Sequence, residues 1–318
     1  MIGAKKLKKA IYYDLGSCYD SKELIELDYF VEVGNSLINF YSKNDKKKLP
    51  LEIIIFSSIS NLDMPLTRLN YSSSCSSRKK KILFIISCEN GYDSRKISKY
   101  YDVIFQSYLE KNDIKNNIFP IPAGIPNFKF LNNKKKKNLL EKKFRFFFSG
   151  NLNKHRVDLF SEIFSLNILL KNIIKLMIKC KLNKILGFVI KKISLNYYDS
   201  NKKIFFTNQF NSGLSKIKYL EYLSKSKFAL CPKGFLSTET FRHYESAAFG
   251  AIAISQKLPN NWIYKKFPYI QVRKWNKLDL LIKKHKRLNS KKSFNWYMNT
   301  IDPRGASKNL LNLIKRYS

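Results

Sequence analysis

The chain has 318 residues, of which 44% are hydrophobic and 14% aromatic, so it can bury a substantial core and is not intrinsically disordered. Its formal net charge of +37 first suggests a nucleic-acid partner, but only 10 of its 60 basic residues are arginine. Because base and phosphate recognition favours the bidentate guanidinium, the lysine excess instead indicates a general positive field that attracts anionic lipid, lipopolysaccharide or nucleotide diphosphates.

The N-terminal segment MIGAKKLKKAIYYDLG carries lysines but lacks an apolar core of signal-peptide length and a small-residue cleavage site. This predicts a cytoplasmic protein, either free or peripheral on a membrane. The five cysteines are an odd number without CxxC spacing, and the three histidines are scattered along the chain. Together they predict a reducing compartment and no metal site.

Short apolar runs rich in branched and aromatic side chains recur through the first half of the chain. They are KAIYYD, LEIIIFSS, KILFIISCE, DVIFQSYL and NIFPIPAG. Continuous hydrophobicity is typical of strands buried on both faces, as in a parallel sheet flanked by helices. The lysine-rich stretch LNNKKKKNLLEKK (131–143) follows these runs and predicts a domain boundary, which we place after residue 138.

The second half repeats the pattern with four further apolar runs separated by helical segments. They are FRFFFSGN, KKIFFTNQ, KFALCP and AIAIS. We therefore predict two α/β domains, 1–138 and 139–318, each a Rossmann-like doubly wound sheet, with a C-terminal helix in the second. Ligands of such sheets bind at the carboxyl ends of the strands, and two domains would place two of these edges face to face across a cleft.

Carboxylates follow two of the predicted strands of the first domain. Glu89 follows KILFIIS after one intervening residue, Cys88, and Asp14 comes directly after KAIYY. At a strand end, either carboxylate could take a proton from an acceptor hydroxyl as a general base, and Asp93 is a weaker candidate. The alternative is that each is an ordinary loop carboxylate and that Asn90-Gly91 makes a turn.

A polar loop, GNLNKHR, follows the first strand of the second domain. It supplies a small residue at Gly150, an amide at Asn151 and basic groups that end with Arg156. A bound diphosphate needs such a wall of donors. Taken alone, the segment is better interpreted as an ordinary polar loop, and only its combination with the loop after KFALCP favours a single diphosphate site.

The strand KFALCP leads into a second loop, KGFLSTET, that begins with Lys233 and Gly234. A helix is predicted from Thr240 to Phe249, with Gly250 as its left-handed stop. The hydroxyl residues before it, Ser237 and Thr238, would then lie at the helix N-terminus, where free amides and the helix dipole attract an anion such as a diphosphate.

Two charged residues of this predicted helix complete the candidate donor site. Arg242 could add a charged hydrogen-bond fork, and Glu245 could accept hydrogen bonds from ribose hydroxyls. The alternative is that Ser237 or Thr238 only caps the helix, while Glu239, Arg242 and Glu245 form solvated pairs three residues apart.

The segment 165–193 combines apolar residues with lysines that interrupt it too often for a membrane-spanning helix. Lys171, Lys175 and Lys179 recur every four residues and form a basic stripe, as in helices that lie on an anionic membrane surface. The alternative is an ordinary amphipathic helix packed on the second domain.

The stretch SKFALCPKGFLSTETFRHYESAAFGAIAIS resembles the signature of exostosin-like glycosyltransferases. In that signature a strand ends in Leu-Cys-Pro and a basic residue plus Gly, followed by an Arg, a helical Glu and a Gly before the next strand. The matching positions are Leu230, Cys231, Pro232, Lys233, Gly234, Arg242, Glu245 and Gly250. FFFSGNLNKHR is similar to the strand and loop that open the donor domain of that family, and the region from Trp296 to Ala306 looks like its C-terminal helix, which packs back across the fold.

The first half is similar to bacterial fucosyltransferases, in which a Glu-Asn pair after such a strand carries the base. This resemblance favours Glu89 over Asp14. The second half departs from that family, because STETFRHYE lacks the lysine that follows Thr-Glu in the fucosyltransferase helix.

These resemblances imply a two-domain GT-B enzyme that transfers a sugar from a nucleoside diphosphate donor with inversion and without a metal or other cofactor. The implied acceptor is a glycan or lipid-linked glycan of surface polysaccharide or lipopolysaccharide synthesis. The alternative function is a basic nucleic-acid-binding or membrane-surface protein without catalysis.

Overall fold

The structure of the protein is a computed structural model that describes residues 11–14, 25–44, 50–57, 79–89, 91–126, 128, 142–195, 200–209, 213–276, 278–285 and 289–317. The chain divides into two compact units. Unit 1 consists of Met1–Asn133, Pro259–Lys266 and Tyr297–Ser318, and unit 2 of Lys134–Leu258 and Phe267–Trp296.

The described strands form two five-stranded parallel sheets, one in each unit. The strands are β1 Ile11–Asp14, β2 Leu51–Ser57, β3 Lys80–Ile86, β4 Val103–Gln106, β5 Ile118–Pro120, β6 Phe144–Asn151, β7 Lys202–Thr207, β8 Ser226–Cys231, β9 Ile252–Ser255 and β10 Ile270–Gln271.

The described helices flank these sheets. The α-helices are α1 Leu27–Asn44, α2 Val157–Ile163, α3 Ile168–Lys179, α4 Asn183–Leu195, α5 Lys216–Ser224, α6 Phe241–Ala248, α7 Leu278–Lys284, α8 Ser290–Trp296 and α9 Pro303–Tyr317. Short 3₁₀ helices cover Ser94–Tyr100 (η1) and Ile114–Asn116 (η2), and a π-helical turn covers Tyr297–Ile301.

The sheet of unit 1 has the strand order β1-β2-β3-β4-β5. On one face, Phe84 and Phe105 of neighbouring strands lie 5.9 Å apart between ring centroids, and Phe30 of α1 packs edge-on against Phe84. On the other face, Ile97 of η1 belongs to a buried cluster with Ile85. Because both faces are covered, the strands need the continuous apolar runs seen in the sequence.

The C-terminal helix belongs to unit 1, whereas we predicted it in the second domain. The Ser307 hydroxyl in α9 donates to the Val33 carbonyl of α1 at 2.8 Å, and the Tyr29 hydroxyl of α1 donates to the Ile301 carbonyl at 2.7 Å. The apolar side of α9 is buried in this packing. The prediction was wrong because sequence position alone does not reveal which unit covers a terminal helix.

The sheet of unit 2 has the strand order β10-β9-β8-β6-β7. The first strand of this unit in the sequence, β6, therefore lies between its second and third, β7 and β8. This is the doubly wound order 2-1-3-4-5, and its switch point lies between β6 and β8.

The predicted fold class is confirmed, since each unit is an α/β domain with a parallel Rossmann-like sheet. All nine predicted apolar runs form strands, and β10 is an additional strand of two residues. The boundary predicted after residue 138 lies outside the described residues, and the units divide between Asn133 and Lys134. Among the helices of the described ranges, none combines the length and the apolar character that a membrane crossing requires.

Candidate functional site

The candidate site lies at the switch point of the unit 2 sheet. β6 and β8 are paired in parallel, with Phe147 opposite Ala229, so both strands end at the same edge. The loop after β6 and the loop after β8 emerge side by side there. The ligand of a doubly wound sheet generally binds in this crevice, at the carboxyl ends of the strands where the order reverses.

Arg156 joins the two loops. Its Nη1 donates to the carbonyl oxygen of Asn151 at 2.8 Å and to Oδ1 of the same residue at 2.7 Å, while Nε donates to the Lys233 carbonyl at 3.1 Å. Asn153 adds a long hydrogen bond from Nδ2 to the Gly234 carbonyl at 3.4 Å. The structure thus brings the two predicted segments together, with a buried guanidinium, 6% exposed, between them.

Arg242 enters the same place from α6. Its Nη2 donates to the Ser149 carbonyl at 2.5 Å, and its guanidinium carbon lies 4.8 Å from the ring centroid of Phe148. A Cβ at Gly150 would lie 3.0 Å from Nη2 of Arg242 and 3.2 Å from Nη1 of Arg156. A side chain at this position would crowd the two guanidinium groups that converge on the end of β6, and they would have to shift to accommodate it.

This edge of unit 2 carries a concentration of positive charge. The Nε atom of Arg242 is buried and has no hydrogen-bond partner among the described residues. Burial, and then the charges of Lys233 and Lys154, lower the pKa of the nearby His155. An anion at this edge would relieve the repulsion that these groups exert on one another.

Glu245 lies on α6 behind Arg242 and is buried. The Tyr219 hydroxyl of α5 donates to its Oε2 at 2.6 Å. Burial raises the pKa of Glu245, while the Tyr219 hydrogen bond and the charge of Arg242 oppose that rise. Sequence reasoning missed Tyr219, because nothing in the local pattern of α5 marks a residue that reaches a carboxylate 26 positions away.

The loop before α6 differs from the prediction. The helix begins at Phe241 with Thr240 as its N-cap, so Ser237 and Thr238 lie before the cap. The Ser237 hydroxyl oxygen accepts the Glu239 amide hydrogen at 3.0 Å, which folds the loop back on itself. The start of the helix is set instead by His243, whose Nδ1 accepts the Thr240 amide hydrogen at 3.2 Å.

The alternative of solvated charge pairs on this helix is wrong. Glu239 and Glu245 are both buried, and the Tyr244 hydroxyl donates to Oε1 of Glu239. The thiol of Cys231, from the Leu-Cys-Pro motif at the end of β8, is also buried, and burial raises its pKa to about 12. Glu239 of the loop and Glu245 of the helix are therefore both packed inward, while Arg242 lies at the strand ends.

The candidate bases belong to unit 1. Glu89 follows β3 by three residues and is partly exposed, as predicted for a strand end. Asp14 is the last residue of β1, and its side chain lies outside the described part of the chain. Asp93 is exposed and paired with Arg95 Nε at 2.7 Å, and this hydrogen bond lowers the pKa of Asp93.

A buried carboxylate near the end of β3 was missed by the sequence reasoning. Glu26 is buried just before α1, and the Ser87 hydroxyl donates to its Oε1. Burial raises the pKa of Glu26. Ser87 itself has a left-handed φ of 55°, which is uncommon for serine. No predicted strand precedes Glu26, so the strand-end rule did not select it.

Unit 1 also contains a cavity of about 790 Å³ beside η1 and η2. Its wall combines the aromatic ring of Tyr92 with the amides of Gln106 and Asn112 and the Asp93–Arg95 ion pair. The Oδ1 atom of Asn112 is buried without a hydrogen-bond partner among the described residues. An aromatic face beside amide and charged groups is a combination that can bind a polyhydroxylated ligand.

No family model matches the sequence, and no curated protein matches it. Among solved structures, the chain is similar to TarM, with a TM-score of 0.45 and 11% identity over 89% of this chain and 58% of TarM. It is similar to the pneumococcal O-GlcNAc transferase GtfA in complex with UDP and GlcNAc, with a TM-score of 0.37 and 10% identity over 88% of this chain and 56% of that one.

A further similar structure is WaaG, a glycosyltransferase involved in lipopolysaccharide biosynthesis, with a TM-score of 0.36 and 11% identity over 96% of both chains. The chain spans less than two thirds of the length of TarM and GtfA. All three TM-scores are below 0.5. The fold class is therefore assigned from the sheet topology of each unit, and the function is inferred from the residues of the candidate site.

Proposed function

We propose that this protein is a glycosyltransferase that moves a sugar from a nucleoside diphosphate donor onto a glycan or lipid-linked glycan acceptor. The proposal rests chiefly on one observation: Arg242 and Arg156 converge on Gly150 at the switch point of the unit 2 sheet. A doubly wound sheet binds its ligand there, and a guanidinium recognises phosphate oxygens with two parallel hydrogen bonds. The exostosin-like signature covers the same loop and helix.

The two arginines have different roles in this proposal. Arg156 is buried and donates to backbone oxygens of both loops, so it positions the walls of the site. Arg242 is partly exposed at the strand ends, so it binds the diphosphate together with Lys233. Glu245 accepts a hydrogen bond from Tyr219 through Oε2, and its other carboxylate oxygen is the proposed acceptor for the ribose hydroxyls.

The reaction would be a single displacement. The acceptor hydroxyl oxygen attacks the anomeric carbon, the bond from that carbon to the diphosphate oxygen breaks, and the configuration inverts. Glu89 is the proposed base that takes the hydroxyl proton, with Asp14 as its rival. Arg242 and Lys233 stabilise the negative charge that develops on the leaving diphosphate, and this stabilisation requires neither a metal nor another cofactor.

The unit 1 cavity is the proposed place for the acceptor sugar. Its Tyr92 ring offers an apolar face, and the side-chain amides of Gln106 and Asn112 line the same cavity. A volume of about 790 Å³ lies within the usual range for small-molecule sites, which is roughly 300–1,000 Å³.

The test is a binding and turnover experiment with UDP-, GDP-, CMP- and dTDP-sugars. Calorimetry on the parent chain identifies the donor, and release of the nucleotide, a nucleoside diphosphate or, from a CMP-sugar, CMP, in the presence of glycan acceptors measures turnover. We expect Arg242→Ala to weaken donor binding about ten- to a hundredfold, because a charge-assisted hydrogen bond contributes roughly 1.5–3 kcal/mol. Turnover should fall as well. Arg242→Lys keeps the charge and should retain part of the affinity.

Arg145→Ala is the matched control. Arg145 lies near the amino end of β6, whereas the candidate site lies at the carboxyl end of that strand. It should bind the donor as the parent does. Failure of every nucleotide sugar to bind the parent chain would refute the proposed function. Donor binding that survives Arg242→Ala unchanged would refute the site and leave the function open.

A further inference from the structure

Helices α3 and α4 of unit 2 present large apolar side chains to solvent. Ile168 is 78% exposed, Leu169 70% and Phe188 67%, values that are high for residues of this kind. The complete set of exposed large apolar residues on the two helices and their connection is Ile168, Leu169, Ile173, Leu176, Leu182, Ile185 and Phe188. Isolated exposed apolar residues are ordinary, but seven within 21 positions form a patch that requires an explanation.

These residues occupy the outer faces of helices whose inner faces are already buried in the unit 2 core. On α3, Leu169, Ile173 and Leu176 have the spacing of one helix face, while Ile174 on the opposite side is buried. On α4, Ile190 is buried in the same core and Phe188 points away from it. The two helices are therefore apolar on both sides, which the packing of unit 2 does not require.

The same segment is exclusively basic. Residues 163–198 contain seven lysines and neither aspartate nor glutamate. Lys171 of the predicted basic stripe forms an ion pair with Asp158 of α2, with Nζ 2.9 Å from Oδ1, so its charge is already paired within unit 2. Exposed lysines remain on α3, at Lys175 and Lys179, and on α4, where Lys184, Lys191 and Lys192 surround Phe188.

We propose that the outer faces of α3 and α4 bind the surface of a bilayer that contains anionic phospholipid. The apolar side chains would enter the boundary between headgroups and acyl chains, and the surrounding lysines would contact the lipid phosphates. A second copy of this chain is a poorer occupant, since an acid-free surface would face an identical one and the lysines would repel. The proposal is independent of the glycosyltransferase function and would add a membrane location to it.

The test measures binding to phosphatidylglycerol-containing vesicles by flotation, with phosphatidylcholine vesicles for comparison. The triple variant Lys184→Glu, Lys191→Glu, Lys192→Glu should bind about a hundredfold more weakly, because each lysine near an anionic surface contributes about fivefold. Phe188→Ser should bind about tenfold more weakly, because it removes a large apolar side chain from the interface.

Matched controls separate a specific surface from the general positive charge. The triple variant Lys283→Glu, Lys291→Glu, Lys292→Glu changes the net charge equally on α7 and α8, where all three lysines are exposed. Ile217→Ser changes an apolar residue of α5 that is 60% exposed. Both controls should retain most of the binding. Equal losses in the two lysine triples would mean that only the total charge matters, and the proposal would be wrong.

Cys180 provides a direct probe of contact, because it ends α3 at an exposed position while Cys88 and Cys231 are buried. With Cys18 and Cys75 replaced by serine, an environment-sensitive fluorophore on Cys180 should brighten and shift to the blue when phosphatidylglycerol vesicles are added. Vesicle binding without a change in this signal would place the contact elsewhere. A second outcome would also contradict the proposal: the protein forms a concentration-dependent dimer, and Phe188→Ser abolishes the dimer but not lipid binding.

Discussion

Gly150 shows how one small residue organises the candidate site. Both arginine side chains approach within 3.2 Å of the position that its Cβ would occupy. Any larger residue would push the guanidinium groups away from the strand end. Gly150 and Arg242 were both selected from the sequence as parts of one donor site, although 92 positions of chain separate them. Their direct contact could not be predicted, because strand and helix patterns do not place individual side chains.

His243 illustrates a residue that sequence reasoning passed over. It is fully buried beneath the start of α6. Its Nδ1 lies 3.2 Å from the Thr240 amide nitrogen, and its Nε2 shares a hydrogen bond of 2.9 Å with the Ser255 hydroxyl. Burial lowers the pKa of His243 from its ordinary 6.5 to about 3. The folded state therefore requires the neutral imidazole.

This arrangement predicts a specific pH dependence of stability. The folded pKa of His243 is below the unfolded pKa, so its contribution is complete above pH 6.5 and is lost as the pH falls toward 3. Each pH unit within that window should remove up to about 1.4 kcal/mol from the free energy of unfolding. His243→Gln should be roughly 1–3 kcal/mol less stable at neutral pH because it disturbs two buried hydrogen bonds.

Urea unfolding at neutral pH and in mild acid tests this prediction. The variant has no titrating group at position 243. The difference in the free energy of unfolding between the parent and the variant should therefore become smaller as the pH falls. A difference that stays constant across the window would show that the buried imidazole does not control acid stability.

Among the elements, α6 was predicted closely and α9 was not. The sequence predicts a helix from Thr240 to Phe249 that stops at Gly250, and the structure has a helix from Phe241 to Ala248 with Gly250 in the left-handed region at φ 65°. Capping and stop residues act within a few positions, so local sequence suffices to predict them. The partner of α9 depends on packing between distant segments.

The packing of α9 against α1 leads to a prediction for unit 1. Leu310 lies on the buried side of α9 with no exposed surface. Leu310→Ala should lower the free energy of unfolding by about 2–5 kcal/mol, and hydrogen exchange should show faster exchange in α1 as well as in α9. Asn312→Ala, at an exposed position of the same helix, should change stability by about 0.5 kcal/mol or less. Exchange rates in α1 that are unaffected by Leu310→Ala would contradict a shared core.

The strands show the same division between local and distant information. Nine apolar runs became nine strands because a strand covered on both faces leaves a continuous signal. β10 has only two residues, Ile270 and Gln271, and is too short for any pattern to reveal. The order of the strands is set by contacts across the sheet, so the switch point became visible only in the structure.

At the scale of the whole molecule, the dominant property is charge. A formal net charge of +37 produces self-repulsion that favours the unfolded state, and added salt screens it. We therefore expect the melting temperature to rise from low to moderate sodium chloride, with about 1 kcal/mol of added stability corresponding to roughly 2–4 °C. Scanning calorimetry across a salt series measures this effect. A melting temperature that is constant or falls with salt would show that the charges are locally compensated.

The buried guanidinium of Arg156 has a consequence for how this site can be redesigned. The Arg156 side chain donates hydrogen bonds to carbonyl groups of both loops. A graft that replaces only one of the two loops would therefore leave a buried positive charge without part of its hydrogen-bond acceptors. The two loops should therefore be exchanged together, with Arg156 retained, because they form one structural unit.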